Sequence, residues 1–189
     1  GVPPERTNVS FPDGGYYCFR GPASRGFVRC HSYRDRPTQA DMLHFDLAYG
    51  GENVLRDAGS YSYRTKQPWQ DWFHGTAAHN TVTVDGKDQM EKGPRFLWLR
   101  WTQARVRAWE ESSDGRSEYF RGEHYGYRRL KDPVTHERRI GRVDDTFVII
   151  DELQGRGIHR LALRWRLCPG PWRPVAAPPD LFAAWECEI

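Results

Sequence analysis

Apolar and polar residues alternate along several stretches of this chain, as they do in strands that bury one face. In residues 159–167, the leucines and Trp165 fall on one face and the arginines fall on the other. This period of two is typical of a half-buried antiparallel strand. The short apolar run at residues 146–151 predicts a central strand. Further strands are predicted at residues 16–20, 26–31, 42–49, 81–84 and 96–109.

Turn-forming residues separate these strands. Asp-Gly or Gly-Gly pairs lie at residues 13–15, 50–51, 85–86 and 114–115, and two further glycines flank Arg156. No segment has a convincing helical period over eleven residues, and the proline-rich piece at 169–174 is predicted to be a loop. Short strands joined by such turns predict an all-β fold, an antiparallel β-sandwich that spans residues 1–189 as a single domain.

Composition is consistent with that fold and limits the class of partner. The chain has 189 residues, 14% aromatic residues and a net charge of only +3. Aromatic residues pack well on pleated faces, and they also serve as platforms for sugars. The absence of a basic tract argues against a nucleic-acid partner. No apolar run approaches the ~20 residues that a membrane span requires.

Arginine dominates the basic residues, and its planar guanidinium can hold a carboxylate or sulfate with two hydrogen bonds. The competing interpretation is a solvated β surface that carries charges of both signs. Neither end of the chain has an apolar leader or a polar tail, so we expect the chain to be cut from a longer protein.

The four cysteines are Cys18, Cys30, Cys168 and Cys187, and none has the CxxC spacing of a zinc knuckle. Cys18 and Cys30 can face each other on a hairpin as a disulfide. Buried free thiols explain the same positions equally well.

Three segments carry the densest chemistry: Gln-Ala-Asp-Met-Leu-His-Phe-Asp-Leu at 39–47, Leu-Arg-Asp-Ala-Gly-Ser-Tyr-Ser-Tyr at 55–63, and Gly-Thr-Ala-Ala-His-Asn-Thr-Val at 75–82 with an Asp-Gly turn behind it. In this order they resemble the C-terminal β domain of the heparinase II/III-like polysaccharide lyases. The resemblance covers roughly residues 15–170. It implies an N-terminal α/α toroid in the same protein, cleavage of an acidic polysaccharide by β-elimination, and a periplasmic or cell-envelope location.

The resemblance also implies a zinc site. Asp57 and His79 match two of the family's ligands, whereas Gln39 stands where a ligand His is expected and Pro37 replaces a second His. A Gln carbonyl oxygen is a poorer zinc ligand than an imidazole. One prediction is therefore zinc held by Asp57, His79 and Gln39. The alternative is a hydrogen bond between His79 and Asp57 that shapes the cleft without metal.

Cleavage of a uronate by β-elimination requires a base for the C5 proton, an acid for the leaving oxygen and a group that neutralises the carboxylate. Tyr61 and His74 are the predicted catalytic residues, with Arg56, Asn80 and Trp72 predicted to bind substrate. The competing interpretation is that Tyr61 packs against its neighbours and that His74 is a solvated loop residue.

Other histidines have weaker assignments. Strand parity places His44 with Asp46 opposite the core, either as a surface pair or on a concave face of the sheet. The clusters around His124 and His136 are predicted to be strand faces rather than sites. Alone, the domain is expected to be inactive. The alternative function, a non-catalytic carbohydrate-binding or scaffold sandwich, is favoured by Pro37 and Gln39.

Overall fold

A computed structural model describes residues 9–62, 66–95, 97–175 and 184–186. The strands are β1 (Val9–Phe11), β2 (Tyr16–Arg20), β3 (Ser24–Arg29), β4 (Phe45–Tyr49), β5 (Glu52–Leu55), β6 (Val82–Val84), β7 (Glu91–Lys92), β8 (Trp98–Leu99), β9 (Ala104–Glu111), β10 (Ser117–His124), β11 (Thr135–Val143), β12 (Thr146–Gln154), β13 (Leu161–Leu163), β14 (Arg173–Val175) and β15 (Ala184–Glu186). The helical elements are α1 (Trp69–His74) and 3-10 turns at Thr76–Ala78 and Gly126–Arg129. No helix in the described ranges is long and apolar enough to cross a membrane.

Two antiparallel sheets form the body of the domain. The first has the sequential order β1-β2-β3-β4-β5, and the second has the order β12-β11-β10-β9. Short antiparallel pairs, β6 with β13, β7 with β8 and β14 with β15, lie outside these sheets. The predicted all-β antiparallel sandwich is confirmed.

Aromatic side chains join the two sheets. Phe19 of β2 packs against Trp109 of β9 and Phe147 of β12, with ring centroids 5.0 and 5.8 Å apart. Tyr17 and Phe19 are the two buried residues of β2, and residues 16–20 form the strand that was predicted there. Each buried large apolar side chain contributes about 1.5–3 kcal/mol, so this seam is a main source of the domain's stability.

Two strand predictions were wrong in position or exposure. Residues 146–151 were expected in a central strand, but β12 is an edge strand and the central pair is β10 and β11. The charged strand β11 can be central because its arginines are paired with carboxylates in the interior. In the predicted strand 159–167, only Leu161–Leu163 is regular, and Leu161 and Leu163 are half exposed rather than in the core.

Other boundaries moved for local reasons. β4 begins at Phe45 because Leu43 has a φ of 60°, which interrupts the extended backbone expected from residue 42. The predicted strand from residue 96 is divided into β8 and β9, and its first residue lies outside the described residues.

Cys18, Cys30 and Cys168 are free thiols, so the described cysteines form no disulfide, and Cys187 is outside the described residues.

Candidate functional site

Three side chains from separate segments converge at one end of the first sheet. His44 lies directly before β4, Asp57 follows β5, and His79 lies between the 3-10 turn Thr76–Ala78 and β6. One donor atom from each lies within 4.8 Å of the others. The β4–β5 hairpin brings His44 and Asp57 together, and the turn before β6 adds His79.

Hydrogen bonds hold the cluster in the described geometry. His79 Nδ1 is 2.5 Å from Asp57 Oδ2, and His44 Nε2 is 3.7 Å from the same oxygen. Asp57 Oδ1 accepts the Gly59 N–H at 2.6 Å. Burial alone raises the pKa of the Asp57 carboxyl, but the hydrogen bond and charge of His79, with His44 and Gly59, lower that pKa to about 2. Asp57 is therefore an anion at neutral pH.

The donor set of the cluster, two imidazoles and a carboxylate, is one that zinc commonly binds. The Nε2 atoms of His44 and His79 are both buried, and neither has a hydrogen-bond partner among the described residues. Buried polar atoms are nearly always paired, so two unpaired imidazole nitrogens in one cluster leave positions that a ligand can fill. The residues present therefore fit a metal ion.

Two details show what metal binding would change. The Asn80 N–H donates to His44 Nδ1 at 3.0 Å, which places the ring proton of neutral His44 on Nε2. The 2.5 Å between His79 Nδ1 and Asp57 Oδ2 is a hydrogen-bond distance, too short for these two atoms to bind the same tetrahedral zinc ion, whose ligand atoms lie ~3.4 Å apart. In the described geometry, a hydrogen bond and not a metal ion joins His79 Nδ1 to Asp57 Oδ2. A metal ion bound through His79 Nε2 would leave the Nδ1 proton in its hydrogen bond to Asp57, and His44 would join only by releasing the Asn80 amide from Nδ1.

Gln39, the predicted third ligand, lies beside a neighbouring cavity of about 360 Å³. Its main-chain carbonyl accepts the Tyr33 hydroxyl at 3.0 Å. The third donor in the cluster is instead His44, five residues later in the chain. His44 Nε2 lies 3.9 Å from Asp46 Oδ2, so the expected pair is present, but His44 is only 3% exposed and the pair is not at the surface.

The cavity beside Gln39 gathers polar side chains and one predicted catalytic residue, His74. Its lining residues are Arg36, Pro37, Thr38, Gln39, Ser60, Ser62, Gln70 and His74. Burial, followed by the charge of Lys92, lowers the pKa of His74, which keeps its imidazole neutral near pH 7. His74 can therefore accept a proton from a molecule in the cavity.

An aromatic group projects beside the same region. Tyr61 is 76% exposed and stacks on Phe73, with ring centroids 5.4 Å apart. Trp72 packs edge-on against Phe73 and lies beneath the Arg166 guanidinium, 4.6 Å from the ring centroid. Tyr61 and Trp72 are thus accessible, as predicted catalytic and substrate-binding residues need to be, and Phe73 was not predicted.

Asn80 and Arg56 have more internal positions. Asn80 is fully buried, and its amide Nδ2 donates to the carbonyls of Phe45 and Arg56, at 3.0 and 3.1 Å. Its Oδ1 accepts the Arg166 N–H at 2.7 Å. The side chain of Asn80 is therefore fully occupied within the protein. Arg56 Nε donates to the Asn53 carbonyl at 2.9 Å and the residue remains partly exposed.

Two arginines that the sequence left unassigned support the site. Arg166 donates to the carbonyls of Ala77 and Ala78, at 2.7 and 2.5 Å, and so fixes the turn that precedes His79. Arg138 donates to the carbonyls of Leu43 and Asn80, next to His44 and His79. Strand alternation identifies both only as polar positions, because their carbonyl partners are distant in sequence.

Comparison with known proteins identifies the family of this domain. Residues 3–173 match the C-terminal domain of heparinase II/III-like proteins. The chain belongs to the heparinase II/III-like family. The heparin-sulfate lyase of Bacteroides stercoris is 27% identical over 178 residues, which cover 90% of this chain and 24% of that protein.

Solved structures of similar proteins share the fold. A heparinase III superposes with a TM-score of 0.73 at 24% identity, over 94% of this chain and 26% of its own. The heparan sulfate lyase HepC from Pedobacter heparinus, solved as a mutant, superposes with a TM-score of 0.72 at 21% identity, over 93% of this chain and 26% of its own. The heparinase-like domain therefore spans about a quarter of the length of these relatives.

Proposed function

We propose that the protein containing this domain cleaves an acidic, uronate-containing polysaccharide by β-elimination, and that the domain forms one wall of the cleft. Family membership supports the reaction class, and the Bacteroides stercoris relative carries the name heparin-sulfate lyase. Because the chain spans about a quarter of its relatives, the remaining catalytic groups would come from an N-terminal α/α toroid.

The cavity beside the cluster supplies side chains suited to this reaction. Arg36 is exposed and has no acidic partner among the described residues, so its guanidinium is available for a carboxylate or sulfate. Neutral His74 can take the C5 proton, and the exposed hydroxyl of Tyr61 can donate a proton to the leaving oxygen. Trp72 and Arg56 would contact the sugar chain beside them.

Zinc is the proposed cofactor. It would be held by Asp57, His79 and His44, and the observation that carries this proposal is the pair of orphaned Nε2 atoms. When bound, zinc would supply positive charge for polarising a sugar carboxylate. Gln39 would line the cavity next to the ion, and its role as a zinc ligand beside Asp57 and His79 stays a prediction.

Turnover in the full-length protein tests the lyase proposal. Heparan sulfate, alginate and related uronate polymers would be assayed for the ultraviolet absorbance of unsaturated sugar ends. We expect His79→Ala to abolish turnover and the isolated 189-residue domain to be inactive. Unsaturated ends produced by the isolated domain would contradict the proposed division between sandwich and toroid.

Metal content tests the cofactor separately. We expect one zinc ion per chain by plasma emission spectrometry, lost in His44→Ala and His79→Ala and retained in Gln39→Ala. A protein that is fully active after chelation and holds no metal would contradict zinc. In that case the hydrogen-bonded His79–Asp57 pair would act alone.

The exposed aromatic group favours a second candidate function, a non-catalytic carbohydrate-binding module. Trp69, Trp72 and Tyr61 are 57%, 36% and 76% exposed, and aromatic faces bind sugar rings. Under this alternative, Trp72→Ala would abolish sugar affinity while His79→Ala would leave it intact. Isothermal titration with acidic oligosaccharides distinguishes the two outcomes.

A further inference from the structure

Arg138 is a fully buried arginine on the central strand β11, and each of its donor groups has a defined partner. Its Nε and Nη2 donate to the two carboxylate oxygens of Asp151, at 2.7 and 2.9 Å. Its Nη1 donates to the carbonyls of Leu43 and Asn80, at 2.6 and 2.7 Å. The guanidinium of Arg138 thus links Asp151 on β12 of the second sheet to the turns at Leu43 and Asn80, which lie outside the strands of the first sheet.

Those two carbonyls adjoin the candidate site. Leu43 precedes His44, and Asn80 follows His79 and donates its N–H to His44 Nδ1. Leu43 is buried with a φ of 60°, a conformation that a branched side chain rarely adopts. Its N–H is bound by the Arg29 carbonyl at 2.7 Å. The strained Leu43 is therefore held from one side by Arg29 and from the other by Arg138.

A directed chain of hydrogen bonds fixes the guanidinium in turn. The Gly126 N–H donates to His124 Nδ1 at 3.2 Å, so the proton of neutral His124 is on Nε2. His124 Nε2 donates to His136 Nδ1 at 3.1 Å, and His136 Nε2 donates to Asp151 Oδ1 at 2.7 Å. Asp151 thus accepts from both His136 and Arg138. Because each donor in the chain has one acceptor, the carboxylate has a single favoured orientation.

We propose that Arg138 is a positioning residue, which sets the relative placement of His44 and His79 through the carbonyls of Leu43 and Asn80. The Asp151–His136–His124 chain holds the guanidinium in the orientation that reaches both carbonyls. The effect on catalysis rests on the proposed lyase function. The effect on the geometry of the cluster does not, and the two are measured separately.

Arg142 provides a matched control on the same strand. It is 1% exposed and paired with the buried Glu118. Its remaining donors bind the carbonyls of Gly115, Arg116 and Asp144, in the turns that join β9 to β10 and β11 to β12. Arg142 therefore matches Arg138 in burial and pairing, but it contacts no residue of the candidate site.

The experiment compares two double variants of the full-length protein. Arg138→Met/Asp151→Asn removes both buried charges and keeps an oxygen acceptor for His136. Arg142→Met/Glu118→Gln removes both charges of the control pair and keeps an oxygen acceptor at residue 118. Hydrogen–deuterium exchange is measured at the amides of His44 and Asn80, and kcat and KM are measured on heparan sulfate. The melting temperatures of the two double variants are expected to fall below that of the wild type by similar amounts.

Only the Arg138 variant is expected to show faster exchange at these two amides, by about tenfold. Only that variant should lose kcat, by up to about 100-fold with KM nearly unchanged, as expected for a small displacement of reacting groups. Arg138→Lys keeps the charge without the planar fork, and it should recover part of both effects.

Equal exchange and equal kcat in the two double variants would overturn the proposal and leave Arg138 as a purely structural residue. If the Arg138 double variant does not fold, Arg138→Lys and Arg142→Lys carry the same comparison. If the wild-type protein cleaves no polymer, the lyase proposal fails, and the exchange data alone decide the role of Arg138.

Discussion

Acidification should destabilise this domain through His124. The imidazole is fully buried between the Gly126 N–H and His136. Burial, followed by the charges of His136 and Arg138, lowers the pKa of His124 well below 6.5, so the ring stays neutral in the folded protein. We expect a loss of stability when the pH falls from about 7.5 to about 5.5.

The sign and size follow from proton linkage. An unfolded histidine with a pKa of 6.5 takes up a proton as the pH falls through that value, and folded His124 does not. The unfolded state therefore binds more protons and gains stability at low pH. For one such group, the free energy of unfolding falls by about 1.4 kcal/mol between pH 7.5 and 5.5. His136, whose pKa is lowered mainly by burial, adds a loss of the same sign.

Urea unfolding of the 189-residue chain, followed by tryptophan fluorescence, measures this loss at both pH values. Trp109 and Trp98 pack in the core and report its exposure. The comparison protein is His124→Gln, which keeps a donor and an acceptor but does not titrate. The wild-type chain should lose about 1.4 kcal/mol more than the variant. Equal losses would refute the assignment of His124 as a neutral buried imidazole.

Three further predictions concern other parts of the domain. Arg36→Gln in the full-length protein should raise KM for an anionic polymer about tenfold without lowering kcat, and an unchanged KM would remove Arg36 from the cleft. Cys30 is 1% exposed, and burial raises the pKa of its thiol to about 12. Mass spectrometry should therefore find Cys30 alkylated only after the protein is unfolded, and rapid labelling of the folded protein would contradict this. Gly126→Ala should lower the free energy of unfolding by about 1–3 kcal/mol, because a Cβ at this position would clash with the Gln89 carbonyl and Thr102 Oγ1. A melting temperature equal to that of the wild type would contradict the clash.

The sequence predicted those strands that bury one face and expose the other. In β9, Arg105 and Arg107 are exposed and alternate with Ala104, Val106 and Ala108, which is a period of two that is visible without the structure. β11 has no such signal, because Arg138 and Arg142 are buried in the centre of a sheet. Their carboxylate partners lie 13 and 24 residues away in the chain. A buried charge with a distant partner therefore looks like a surface position until the pairing is known.

The site was predicted for Asp57 and His79 and missed for His44. The resemblance in sequence motifs located Asp57 and His79. His44 was placed by strand parity, which assigned it to the face of the strand opposite the core. That parity correctly placed His44 with Asp46, but it could not show that His44 is buried beside Asp57 or that Leu43 before it has a left-handed backbone conformation. Leucine strongly disfavours this conformation, so the sequence gives no warning of it. Only the tertiary contacts made by Arg29 and Arg138 explain why it forms.

The position of His44 also changes the significance of Gln39. In the sequence, a Gln in place of a ligand His argues for a domain that has lost its metal and its catalytic role. In the folded domain, His44 supplies a second imidazole, and with His79 and Asp57 it forms a group that could hold a metal ion. They lie in turns fixed by directional hydrogen bonds from Asn80, Arg166 and Arg138, which specify position more closely than apolar packing does. Replacement of His by Gln at position 39 is therefore compatible with a complete cluster, and it no longer favours the non-catalytic alternative.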